Sequence, residues 1–180
     1  MYIWRYLDDK SIIKRLYVFW FSLCGCIHCF LEGYFSLNHK TISADNTLLA
    51  QIWKEYALSD SRYMISDPFT LSMETVTAFF VGPLCFLASY WHIKDDNRVY
   101  ILQLIISVSQ IYGDVLYIST NWLENFKFTN PTDPFFFWFY FIFMNIIWII
   151  VPSFIIYDSY VNLIKSLKQH DEIIEDKKNS

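Results

Sequence analysis

The chain has 180 residues, 54% hydrophobic and 21% aromatic, with a formal net charge of −4. Seventeen Phe, 13 Tyr and 7 Trp against four Gly, with a mean hydropathy of +0.26, do not fit a soluble domain. Basic residues are sparse and nowhere interleaved with aromatics, which excludes nucleic acid as a partner. The four cysteines all fall in apolar blocks, which excludes a secreted disulfide framework.

Four apolar blocks, each long enough to cross ~30 Å of hydrocarbon as a helix, cover 16–37, 69–92, 99–119 and 135–157. They predict an all-α polytopic membrane helix bundle with four transmembrane helices, a single domain over 15–160 and a polar tail at 161–180. The first block is too long for a signal-peptide core, contains Glu32 and lacks a small-residue cleavage site, so no cleavable signal is expected. Cys24, Cys26 and Cys29 cannot share one helical face, and with Cys85 they read as packing residues rather than metal ligands.

Between the first two blocks, "NTLLAQIWKEYAL" places Leu48, Leu49, Ile52, Trp53 and Tyr56 at helical spacing. That predicts a short amphipathic helix on the membrane surface or capping the bundle. "SDSRY" (59–63) then reads as a polar turn. Asp67 and Asp133 are expected N-caps, with Pro68 and Pro134 at the first helical positions. Asp96 or Asn97 caps the third span, and Gly82-Pro83 and Pro152 predict kinks. The ending "HDEIIEDKKNS" reads as disordered.

The 14 Lys and Arg divide unevenly. Arg5, Lys10, Lys14, Arg15, Lys94, Arg98, Lys165, Lys168, Lys177 and Lys178 fall on one side, and Lys40, Lys54, Arg62 and Lys127 on the other. Positive residues favour the cytosol, so both termini are expected there.

Each span carries polar groups. His28 and Glu32 are four apart, hence on one face of a helix. Glu74 shares a face with Thr70 and Thr77; the third span has a stripe of Gln103, Ser107, Gln110 and Asp114; the fourth offers Asn145 and Trp148. Gln103, Gln110 and Asp114 read as helix–helix glue. Two glutamates and a histidine at membrane depth are too costly for that and mark a functional site. No Gly-rich phosphate loop, nucleophile elbow or HExxH motif occurs. The chemistry left is proton addition and removal on a lipid-soluble molecule, with aromatic faces available to a developing cation. A proton or ion pathway is the alternative from another class.

"HCFLEGYF", "QIWKEYALSDSRY", "DPFTLSMETVTAFFVGPL", "ILQLIISVSQIYGDVLY" and "FWFYFIFMNIIWIIVP" resemble the emopamil-binding protein family, the sterol Δ8–Δ7 isomerases. The likeness runs from about residue 15 to residue 158. The wider EXPERA-domain family includes the sigma-2 receptor and the emopamil-binding-like protein. The resemblance implies a cofactor-free, metal-free reaction of sterol synthesis. A proton is added at C9, a carbocation forms at C8, a proton leaves C7, and the ring double bond moves from C8–C9 to C7–C8.

The same resemblance implies catalytic roles for His28, Glu32, Glu74 and Asn145, with Thr77, Trp148 and Tyr63 contacting substrate. His28, Glu32 and Glu74 would transfer protons and stabilise the cation, Asn145 and Thr77 would orient them, and Trp148 would offer its face. Implied partners are a sterol substrate, membrane lipid, hydrophobic cationic amines as inhibitors, and a second copy in a homodimer. The family has five membrane helices, so the chain is expected to begin just before the second. Its Lys177-Lys178-Asn179-Ser180 ending resembles a cytosolic dilysine retrieval signal, which agrees with the endoplasmic reticulum membrane. A binding-only member, closer in role to the sigma-2 receptor, is the second reading; the full His, two-Glu, Asn and Trp set favours the enzyme. A purely structural membrane subunit ranks third, because it leaves two buried glutamates unexplained.

Overall fold

The computed structural model describes residues 12–179. Five helices follow in order: α1 (Ile12–Asn38), α2 (Leu48–Tyr56), α3 (Pro68–Lys94), α4 (Val99–Leu123) and α5 (Phe135–Lys178). All but α2 are long and apolar enough to cross a membrane, which makes the chain an all-α polytopic bundle. The four expected spans lie within these helices. Arg5, Lys10 and Ser180, used above for orientation and for the terminal signal, lie outside the described residues.

Outward faces are apolar: Phe19, Phe30, Phe80, Val108, Trp138 and Phe154 are all exposed. Polar residues turn inward, with His28, Glu32, Glu74, Gln103, Gln110, Asp114 and Asn145 buried. That inversion suits a hydrocarbon solvent, where unpaired polar groups are costly outside and tolerated only in a shared interior. One apolar cluster, including Phe21, Cys24, Cys85, Ile106 and Ile155, fills the end where α1 begins. A second, with Phe35, Trp53, Tyr63, Tyr117 and Phe141, fills the other end beneath α2. Lys14 of α1 pairs with Asp95 in the α3–α4 turn, so α1 begins at the end where α3 closes.

Helix starts follow their caps. Asp67 Oδ2 accepts the Thr70 amide at 2.9 Å, and Asp133 Oδ1 accepts that of Phe135 at 2.9 Å. Asp96 instead accepts the Arg98 amide at 3.0 Å and pairs with the same guanidinium, forming the turn before α4.

Three stretches widen into π-helix: Ile27–Glu32 in α1, Thr77–Val81 in α3 and Phe135–Phe143 in α5. The second directly precedes Gly82-Pro83, and the missing Pro83 N–H frees the Phe79 carbonyl, four residues back. The first two are packed on each other through Gly82, where an added Cβ would lie 2.6 Å from Cys29 Sγ and 3.1 Å from its amide nitrogen. Gly82→Ala should therefore cost about 1–3 kcal/mol, the scale of an overpacked core. Gly113→Ala, whose Cβ would meet Met73 at an ordinary 3.7 Å, should leave the unfolding midpoint in detergent unchanged. Equal midpoints for both variants would show that the π segments part without cost.

Three expectations need correction. α2 exists, capped by Thr47, but its buried face is Ala50, Trp53 and Ala57, while Leu48 is 76% exposed. The apolar stripe counted every large residue, whereas the bundle accepts Trp53 between two small ones. "SDSRY" is no solvated turn: Ser59, Asp60, Arg62 and Tyr63 are all buried, so Arg62 is not a free loop cation. The terminal segment is helical rather than irregular, since α-helix runs unbroken from Met144 to Asn179 through Pro152. It holds no Gly or Pro after Pro152, the two residue types least favourable inside a helix.

Candidate active site

A cavity of about 530 Å³ opens between α1, α3, α4 and α5, with α2 over it. All seven residues singled out from sequence line it: His28, Glu32, Tyr63, Glu74, Thr77, Asn145 and Trp148. The π-helical turn of α1 carries the first two, and widening a turn brings residues four apart nearer to eclipse. His28 Nδ1 lies 2.7 Å from both carboxyl oxygens of Glu32. On the other side of the ring, the Gln110 amide nitrogen donates to His28 Nε2 at 3.1 Å. Those two contacts place the imidazole proton on Nδ1, pointing at Glu32.

Glu32 also accepts from the Thr77 hydroxyl of α3. One turn earlier on α3, Glu74 Oε1 accepts from the Tyr63 hydroxyl at 2.5 Å. Burial, followed by the neighbouring Glu74 carboxyl, pushes the Tyr63 phenol well above its ordinary range, so it stays a donor. Glu32 and Glu74 both line the cavity, and Thr77, which donates to Glu32, stands one turn from Glu74 on α3. The two carboxyl groups therefore face one cavity, held by one donor each from α3 and from the 59–63 turn, with His28 behind Glu32.

α5 supplies the remaining wall. The Asn145 amide nitrogen donates to the Phe141 carbonyl at 2.6 Å and to Tyr56 Oη at 3.3 Å, tying α5 to α2. The Trp148 ring centroid lies 5.2 Å from that of His28 and 5.6 Å from that of Trp20. Trp148 thus packs against both rings while it lines the cavity.

The glue reading divides along α4. Gln103 is glue: it bonds His92 at 2.9 Å and accepts from the Ser159 hydroxyl at 3.1 Å, joining α3, α4 and α5. Gln110 and Asp114 instead stand on the cavity wall. Their i, i+4 spacing marked them as inward-facing, but no sequence signal names the partner of a membrane glutamine. Sequence reasoning also missed the buried Asp60–Arg62 pair and the Trp53 indole, which donates to the Leu31 carbonyl at 2.9 Å beside the site. Cys24 and Cys85 sit in the packed core.

A cavity between four membrane-length helices, lined by His28, Glu32 and Glu74, defines an integral membrane protein with buried ionisable groups around an interior site. Residues 48–159 match the EXPERA family, the expanded EBP superfamily. The chain is 42% identical over 162 residues to a 3β-hydroxysteroid-Δ8,Δ7-isomerase of Cavia porcellus, covering 87% of this chain and 71% of that one. It is 40% identical to the protein of the same name from Rattus norvegicus, over 91% of this chain and 70% of the other. It is also 37% identical to an isomeliandiol synthase of Melia azedarach, over 81% and 68% respectively. The chain belongs to the EXPERA family.

Proposed function

We propose that the protein is a sterol Δ8–Δ7 isomerase. A carboxyl group of the Glu32–Glu74 pair gives a proton to C9, and the positive charge develops at C8. A carboxylate of the same pair then takes a proton from C7, so the enzyme ends with the protons it began with and no cofactor is consumed. His28, its Nδ1–H on Glu32, holds that carboxyl in place and answers changes in its charge. Thr77 and Tyr63 orient the two carboxyl groups as single donors. Asn145 fixes the α5 wall, and the Trp148 face offers the cation a π surface. The observation that carries this reading is that two buried carboxyl groups, each held by a hydroxyl donor, line one cavity between the membrane helices. The relatives named as Δ8,Δ7-isomerases support it.

Purified protein given a Δ8 sterol in heavy water should yield the Δ7 sterol with deuterium at C9. Recovery of unchanged, unlabelled Δ8 sterol would remove the isomerase reading.

The same site should hold hydrophobic amines. A site complementary to a carbocation is complementary to a protonated amine on an apolar frame. Trp148→Ala should weaken a cationic amine by ~0.5–2 kcal/mol more than a neutral analogue of matched size. Equal weakening in competition binding would mean that Trp148 only fills space.

The proposed setting is the endoplasmic reticulum membrane, with cytosolic termini and a homodimeric assembly. The basic residues support that orientation even with Arg62 buried, because Lys94, Arg98, Lys165, Lys168, Lys177 and Lys178 still stand at one end. A glycosylation acceptor placed between Asn38 and Leu48 should be modified, and one after Ser180 should not. The reverse pattern would invert the topology.

A further inference from the structure

Asp114 is unexplained by the chemistry proposed above. It stands on the α4 wall of the cavity, only 8% exposed, and its Oδ2 has no hydrogen-bond partner. Among the described residues, no Lys or Arg lines the cavity to neutralise it. The other buried polar groups there are engaged: His28 with Glu32 and Gln110, Glu74 with Tyr63, and Asn145 with Phe141. Among the described residues, the unpartnered buried side-chain atoms on the wall are Asp114 Oδ2 and Gln110 Oε1, one helical turn apart. An unpaired carboxyl at membrane depth is costly, so its partner is expected to come from the ligand.

A 3β-hydroxysterol carries a single hydrogen-bond donor, the hydroxyl at one end of a rigid apolar frame. We propose that Asp114 is the group that binds it: the Asp114 carboxylate accepts the 3β-hydroxyl hydrogen bond and so sets where the ring system stops. Gln110 marks the level of His28, and Asp114 lies one turn further along α4. α1 and α4 start at the same end, so Glu32, one turn beyond His28, shares that level, and an added Cβ on Gly113 would meet Met73, the neighbour of Glu74. Asp114 thus stands on the α4 wall at the level of the carboxyl pair, and an anchor there sets the register of the substrate's one polar group against it.

This inference rests on the sterol reading, and a binding measurement separates the two. The affinity of a 3β-hydroxy Δ8 sterol and of its 3-deoxy counterpart is measured by competition for wild type, Asp114→Asn and Asp114→Leu. Wild type should prefer the hydroxylated sterol by ~10-fold or more, the scale of a hydrogen bond to a charged group. Asp114→Leu should erase that preference while binding the 3-deoxy sterol as wild type does, which also reports a folded cavity. Asp114→Asn keeps an acceptor and should retain part of the preference. Equal wild-type affinity for the two sterols, or equal loss of both in Asp114→Leu, overturns the assignment. A hydroxyl preference without turnover would leave the anchor standing and remove the isomerase. A protein that binds neither sterol overturns both.

Discussion

Glu74→Gln and Glu32→Gln should each lower turnover by ~10²-fold or more, the scale of losing a catalytic acid–base group. Glutamine keeps the volume and a carbonyl acceptor, so the Tyr63 hydroxyl can still donate at position 74 and the Thr77 hydroxyl at position 32. What is removed is the capacity to give up and take back a proton. Expression and the unfolding midpoint should therefore hold while initial rates of Δ7 sterol formation fall. Tyr63→Phe should cost less, because it frees Glu74 without changing its chemistry. Near-normal rates in both Gln variants would show that these carboxyl groups pack rather than react, and the proton chemistry would have to move elsewhere in the cavity.

Local signals in the sequence were readable where one helix decides the outcome. His28 and Glu32 meet because four residues separate them, and the π-helical turn tightens that meeting rather than breaking it. Asp67 and Asp133 cap because Pro follows each. Signals failed where a partner comes from far along the chain. Glu74 was legible as costly, but its donor Tyr63 reaches it only because the 59–63 turn folds into the bundle. Gln110 was legible as inward-facing, yet Gln103 carries the same pattern and does different work. The face of α2 was misjudged because burial there depends on which residues fit beneath the helix, and Ala50 and Ala57 fit where Leu48 does not. Charge misled in the same way: Asp60 and Arg62 look solvated in a polar pentapeptide, and they are the most buried ion pair described.

That pair is the strongest test of how the site is supported. Asp60 is fully buried and Arg62 is 2% exposed. The Asp60 carboxylate accepts from Arg62 Nη2 at 2.6 Å, from the Tyr117 hydroxyl at 2.7 Å and from the Asn121 amide at 3.1 Å. Arg62 also donates to the Thr120 hydroxyl at 2.9 Å and the Tyr117 carbonyl at 3.2 Å. Burial opposes the Arg62 charge, and the Asp60 carboxylate more than offsets it, so the guanidinium is held above its ordinary value. The turn is thereby pinned to the end of α4, and Tyr63 follows it into the cavity. Asp60→Ala leaves a buried cation, a phenol and an amide without their acceptor, and should cost about 3–5 kcal/mol. The unfolding midpoint in detergent should drop by about 10 °C. Replacing both partners, Asp60→Leu with Arg62→Met, removes the unpaired charge and should recover much of that loss. Turnover should recover only as far as that of Tyr63→Phe, because an apolar pair no longer fixes the turn that delivers Tyr63 to Glu74. A double variant that regains both stability and rate would show that the Asp60–Arg62 pair holds the fold without positioning the site.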